Sequence, residues 1–125
     1  MSHASATGRT VDLAGIVSAR REDSGAVWSL TNSEDLNANL VRFEEGEGVG
    51  LHVNDEVDVL FVGIAGGGLV VVDGEEYDLE PGRMVFAPRG CSRASRAAPG
   101  GFAYLTVHRR RGPVRLGKKA EVAAR

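Results

Sequence analysis

The residues of this chain with the most chemical capacity fall between His52 and Arg93, with a further group, Tyr104, Thr106 and His108, in its last strand-like segment. An unshifted imidazole titrates near neutral pH, so His52 is a candidate for a pocket donor, an acceptor or a general base, with Tyr104 or His108 as the acid. Arg93 is a permanent cation that cannot ligate a metal, and its planar fork of donors suits a carboxylate or a phosphate. Asn54 follows His52 by two residues and offers an amide, while Phe61 facing a cavity would give a ligand an apolar wall. The catalytic candidates are therefore His52, Tyr104 and His108, and the ligand-binding candidates are His52, Asn54, Phe61, Arg93 and His108. Plainer roles compete with each. His52 could be a hydrogen-bonded interior histidine, Arg93 an outward surface charge, and His108, beside three arginines, a solvated strand end. Cys91 reads as a small buried filler, Phe61, Phe86 and Trp28 chiefly as core, and Arg89 and Arg96 as surface charges.

Strands must position these groups. Leu36 to Phe43 is strand-like, Glu44 to Gly50 is a glycine-rich acidic turn, and Val57 to Ile64 is an apolar run short enough for a strand buried on both faces. Leu69 to Val72 and Glu75 to Leu79 flank Asp73-Gly74, a two-residue turn of the kind that needs positive φ at its centre. Further strands are expected at Met84 to Ala87, near Ser92 to Ala97, and at Phe102 to His108, with turns at Glu80-Pro81-Gly82, Pro88-Arg89-Gly90 and Ala98 to Gly101. On the last strand Tyr104, Thr106 and His108 share one face. Val11 to Asn32 predicts one or two peripheral strands.

With 125 residues the chain has room for one domain, and its 17 glycines and frequent valines point to an all-β fold with little helix, closed as a barrel or sandwich. The organisation expected is a flexible arm over 1–10, a single barrel domain over 11–108 and a basic tail over 109–125, with a short helix possible near Lys118 to Ala124. His3 in the arm is expected to have no function. One cysteine excludes an internal disulfide, no apolar run approaches a membrane span, and the N-terminus lacks the hydrophobic block of a signal peptide, so a cytoplasmic protein without membrane contact is expected. The formal net charge is −2, but eleven acids and no base fall between Phe43 and Gly82, and eleven bases with one acid between Arg83 and Arg125. In an interleaved barrel such blocks lie side by side and neutralise one another. Nucleic-acid binding by the tail is disfavoured, because stacking aromatics are missing from it.

The segment from Leu36 to His108 resembles the cupin superfamily, whose motifs have the forms G-x5-H-x-H-x3/4-E-x6-G and G-x5-P-x-G-x2-H-x3-N. The second is matched by Gly82, five residues, Pro88-Arg89-Gly90, two residues and then Arg93 in the histidine position. The first is matched in outline by His52-Val53-Asn54, the stretch Asp55 to Phe61, and Gly66 to Gly68. The resemblance implies a cupin-like double-stranded β-helix, a jelly-roll barrel. It carries over only His52 of the family's metal set: Asn54 stands at the second histidine and Arg93 at the third. One count puts the carboxylate position at Val59 and the shorter spacing puts it at Asp58. The two registers turn Asp58 to opposite faces, and Val59 inward is favoured. Neither assembles three good donors, and Arg93 would repel a cation, so no metal and no cofactor are expected.

The leading functional reading is thus a metal-free barrel that binds a small anionic molecule. Alternatives are a cupin-type enzyme, either a metal-independent isomerase or epimerase using His52 with Tyr104 or His108, or a metal-dependent dioxygenase or isomerase. A third is a non-catalytic interaction module acting through the basic tail. A homodimer is expected in each case.

Overall fold

The computed structural model describes residues 8–110. His3 with most of the expected arm, the tail from residue 111 onward and the helix considered near Lys118 lie outside the described residues. The elements in chain order are α1 (Leu13–Ala19), β1 (Gly25–Ser29), β2 (Leu36–Phe43), β3 (His52–Val53), β4 (Val59–Val72), β5 (Glu75–Leu79), β6 (Met84–Ala87) and β7 (Ser92–Arg109). All strand pairs are antiparallel in the order β1-β2-β7-β4-β5, with β3 on β7 and β6 on β4. The protein is an all-β jelly-roll barrel, with one short helix among the described residues.

Strands β2, β5 and β6 match the segments read from the sequence. The turn between β4 and β5 has φ of 49° at Asp73 and 84° at Gly74, the positive pair that matches a hairpin's right-handed twist. Two expectations need correction. The apolar runs separated by Gly66 to Gly68 are one strand of 14 residues, and those separated by Ala98 to Gly101 are one strand of 18. Glycine explains this, because Gly66 and Gly101 both take positive φ and a Cβ on Gly66 would collide with the Gly101 carbonyl. The two strands therefore bend together at one corner while staying paired, from Leu60 opposite Val107 to Val72 opposite Arg93.

Of the one or two peripheral strands expected between Val11 and Asn32 one is found, β1, and a helix not expected there, over Leu13–Ala19, precedes it. Leu13, Ile16 and Val17 fall at i, i+3 and i+4, and the Asp12 carboxylate caps the turn by accepting from the Gly15 N–H at 3.0 Å. The helix packs on β4 and β1. Phe86, expected in the core, is instead 51% exposed beside Met84: β6 alternates, with Val85 and Ala87 inward.

The core gathers inward residues of both halves of the bent sheet, among them Phe43, Val59, Phe61, Val70, Val72, Leu79, Phe102 and Tyr104. Burying each of the larger side chains stabilises the fold by about 1.5–3 kcal/mol. The bend is visible in one contact, a hydrogen bond of 2.8 Å between the hydroxyls of Ser95 and Tyr104. A straight strand would hold residues nine apart about 30 Å from each other, so β7 has folded back and its two halves face across the interior.

Candidate functional site

A cavity of about 500 Å³ lies between those halves. Alternation supplies its walls. On β2 the odd-numbered Asn37, Asn39, Val41 and Phe43 face it, on β4 Val59 and Phe61, and on the second half of β7 Tyr104, Thr106 and His108. The first half of β7 contributes Arg93 and Ser95, and β3 and the loop after it contribute His52 and Asn54. All five residues expected to bind a ligand and all three catalytic candidates line this one cavity. The interior end is formed by buried side chains, including Arg93, Ser95 and Tyr104, whereas Asn37, Asn39, Thr106 and His108 are half-buried.

Arg93 is placed by strand register. It stands opposite His52 on β3, and directly opposed residues of an antiparallel pair share a face, so the imidazole and the guanidinium enter the cavity together. Arg93 is 3% exposed, its Nη1 is buried without a hydrogen-bond partner, and none of the ion pairs among the described residues includes it. Among the described residues no Asp or Glu lines the cavity. Burial pulls the guanidinium below its ordinary pKa, the direction expected of a charge taken out of water.

Asp58 points outward, accepting from the Arg89 N–H at 2.7 Å, and Val59 is buried in the wall. The favoured register is therefore the observed one, and among the described residues Arg93 has no internal carboxylate to neutralise it. Asn54, at the second histidine position, uses its Oδ1 to accept from the N–H groups of Glu56 at 2.8 Å and Val57 at 3.3 Å, which leaves its NH2 as the unused part of the amide. The His52 Nδ1 lies 2.9 Å from the Gly50 carbonyl oxygen. A carbonyl only accepts, so that nitrogen carries a proton and Nε2 is the free position of the neutral ring. The Tyr104 ring sits among Phe102, Phe61 and Phe43 at centroid distances of 4.9, 5.5 and 6.3 Å. Burial raises its phenol pKa above the ordinary value, with the Ser95 hydrogen bond opposing, so the group is held protonated.

This donor set does not fit a divalent ion. Its only first-rank donors are imidazoles, the Asn54 oxygen is committed to backbone, and a buried guanidinium occupies the place of a ligand. Among the described residues no three of His, Cys, Asp and Glu come together in a metal-holding group. Sequence reasoning missed Ser95, Asn37 and Asn39. The signals were present: Ser95 is two residues from Arg93 and so on its face, and Asn37 and Asn39 alternate with Val41 and Phe43 along a strand whose inner face would otherwise be wholly apolar.

The model of the family described as Cupin domain matches residues 39–107, more than half of the chain. The chain belongs to the cupin family. Among curated proteins none matches this cupin. Solved structures similar to it include a Thermus thermophilus protein, TT1209, at 25% identity and TM-score 0.68, covering 82% of this chain and 98% of that one. KdgF from a Halomonas species is similar at 22% identity and TM-score 0.63, over 68% of this chain and 77% of that one. A mutant of salicylate 1,2-dioxygenase from Pseudoaminobacter salicylatoxidans aligns at 24% identity and TM-score 0.55, over 60% of this cupin but only 21% of the enzyme's chain. At such identities the likeness establishes the fold.

Proposed function

We propose that this cupin works without a metal and binds a small anionic molecule inside its barrel. The observation that carries the reading is the buried Nη1 of Arg93, without a partner among the described residues, in a cavity to which those residues contribute no carboxylate. A desolvated guanidinium left unpaired is costly, and an anion entering the cavity would satisfy it with a charge-assisted, two-pronged contact. His52, Asn54, Phe61 and His108 line the same space and complete the proposed binding surface. A thermal-shift and calorimetric screen of acidic small molecules tests this. Binding by the natural protein that Arg93→Ala abolishes is the expected result; no anion bound, or binding that ignores the substitution, overturns it. Elemental analysis finding stoichiometric iron, manganese, nickel or zinc would overturn the metal-free part.

A second reading is favoured by the convergence of His52, Tyr104 and His108 on one cavity: a metal-independent isomerase or epimerase, with the free Nε2 of His52 as base. Chemical change of a bound acid, followed by NMR and lost in His52→Gln while binding persists, would carry it. Among the described residues no helix is long and apolar enough to cross a membrane. Cytoplasmic residence and a homodimer belong to the same proposal, and a monomeric mass by light scattering would remove the latter.

A further inference from the structure

We infer that the occupant is a monoanionic carboxylic acid with an aromatic or bulky apolar body, its carboxylate on Arg93 and its body along the ring wall of Phe43, Phe61 and Tyr104. This rests on the anion-binding reading and narrows it by charge, shape and wall chemistry.

Charge comes first. Among the described residues Arg93 is the only Lys or Arg lining the cavity, none of the lining residues is a carboxylate, and α1 contributes nothing to the lining. One fixed positive charge balances one negative charge. A phosphate dianion or a polycarboxylate would bring at least one further charge into a partly enclosed space where no second Lys or Arg among the described residues meets it and only an imidazole that first takes up a proton could, and an unmatched charge away from water is expensive. The geometry agrees, since the two oxygens of a carboxylate match two parallel N–H groups of a guanidinium.

The remaining walls say what the acid is attached to. Val41, Phe43, Val59 and Phe61 line the cavity beside Tyr104. The Tyr104 hydroxyl is engaged by Ser95 at 2.8 Å, so what this residue offers an occupant is its ring. Phe61 and Tyr104 lie 5.5 Å apart and tilted by 53°, an aromatic corner suited to an offset or edge-on ring from a ligand. A cavity of about 500 Å³ is far larger than an acetate ion, and most of the surface such a small acid would leave empty is apolar.

Calorimetry on the full chain with benzoate, phenylacetate, acetate, benzamide, inorganic phosphate and citrate tests the inference. Benzoate or phenylacetate is expected to bind at least about tenfold more tightly than acetate, phosphate and citrate, and benzamide to lose about tenfold or more because it carries no charge for Arg93. Phe61→Ala is expected to weaken the aromatic acids and leave acetate unchanged, and Arg93→Met to remove binding of every acid. If Arg93-dependent binding is found but phosphate, citrate or acetate matches the aromatic acids, this inference falls and the anion-binding reading stands. If no anion binds through Arg93, both fall. Should Arg93→Met fail to fold, the benzoate and benzamide pair in the natural protein still decides the matter, since equal affinity overturns the inference.

Discussion

If Arg93 binds the anion proposed above, it does so against the interest of the fold. A cation that is 3% exposed with an orphaned Nη1 weakens the ligand-free protein. Arg93→Met keeps the length of the side chain and removes the charge, so it should stabilise the ligand-free protein by about 1–3 kcal/mol in urea unfolding while eliminating anion binding. A destabilised variant would show instead that the guanidinium holds the barrel together. Two other buried groups set the alkaline limit. Burial raises the Cys91 thiol above 9.0 and the Tyr104 phenol above 10.0, so in the folded state each keeps its proton at pH values where the unfolded chain has lost it. The unfolded state then binds fewer protons, and stability present below those values must fall as pH rises past about 9 and on through the raised folded-state values. Urea midpoints at pH 7, 9 and 10.5 should decline, and Cys91→Ala with Tyr104→Phe should flatten the decline; an unchanged slope refutes the assignment.

At the level of elements, the cavity depends on close approach of the loop over residues 44–50 to β7. The Ser95 N–H donates to the Val49 carbonyl at 3.0 Å and the Ala97 N–H to the Glu47 carbonyl at 2.8 Å, extending the sheet into the loop. A Cβ at Gly48 would strike the Ser95 carbonyl, whereas one at Gly74 meets nothing within 4 Å and suffers only from its φ of 84°. Gly48→Ala is therefore expected to cost about 1–3 kcal/mol and also to weaken ligand binding, because Val49 and Ser95 line the cavity. Gly74→Ala should cost about 1 kcal/mol and leave affinity intact. Denaturant unfolding paired with calorimetry separates the two, and equal effects on binding would sink the distinction. Of these elements the Asp73-Gly74 hairpin was legible because its turn chemistry is local. The continuity of β4 and β7 was not, since a glycine cluster reads as a turn unless the neighbouring strand is known to bend with it. The helix at Leu13–Ala19 was hidden by brevity, three apolar positions around Gly15 being too few to outweigh an all-β composition.

Across the whole molecule the cavity and the core are one structure. Phe43, Val59, Phe61 and Tyr104 belong both to the core cluster and to the cavity wall, so an occupant must report on global unfolding. A ligand at one hundred times its Kd should raise the unfolding free energy by about 2.7 kcal/mol, read as a concentration-dependent rise in Tm. Binding without such a rise would place the ligand elsewhere. Charge is organised less simply than the blocks in the sequence imply. The ion pairs among the described residues, Arg20 with Asp23, Arg42 with Glu44 and Arg83 with Glu80, each join residues two or three apart. The acidic strand β5 and the basic first half of β7 flank β4 on opposite sides, with Asp78 and Arg96 both opposite Leu69. They stand about two strand spacings apart, roughly 10 Å, near the Debye length at physiological salt.

Composition, period-two alternation and turn residues were enough to establish the β class, most strands and the place of Arg93 where the family carries a histidine, because each of these is written over a few neighbouring residues. The two motif spacings left Asp58 and Val59 both open as the inward residue, with Val59 favoured, and the strand register decided for Val59. Only the tertiary structure decided that Arg93 has no acid beside it among the described residues, that Tyr104 meets Ser95 across the bend, and that Asn37, Asn39 and His108 share one cavity with His52. Those facts arise from segments brought together over tens of residues by the bend of two paired strands, and no local pattern encodes which side chain will be left without a partner.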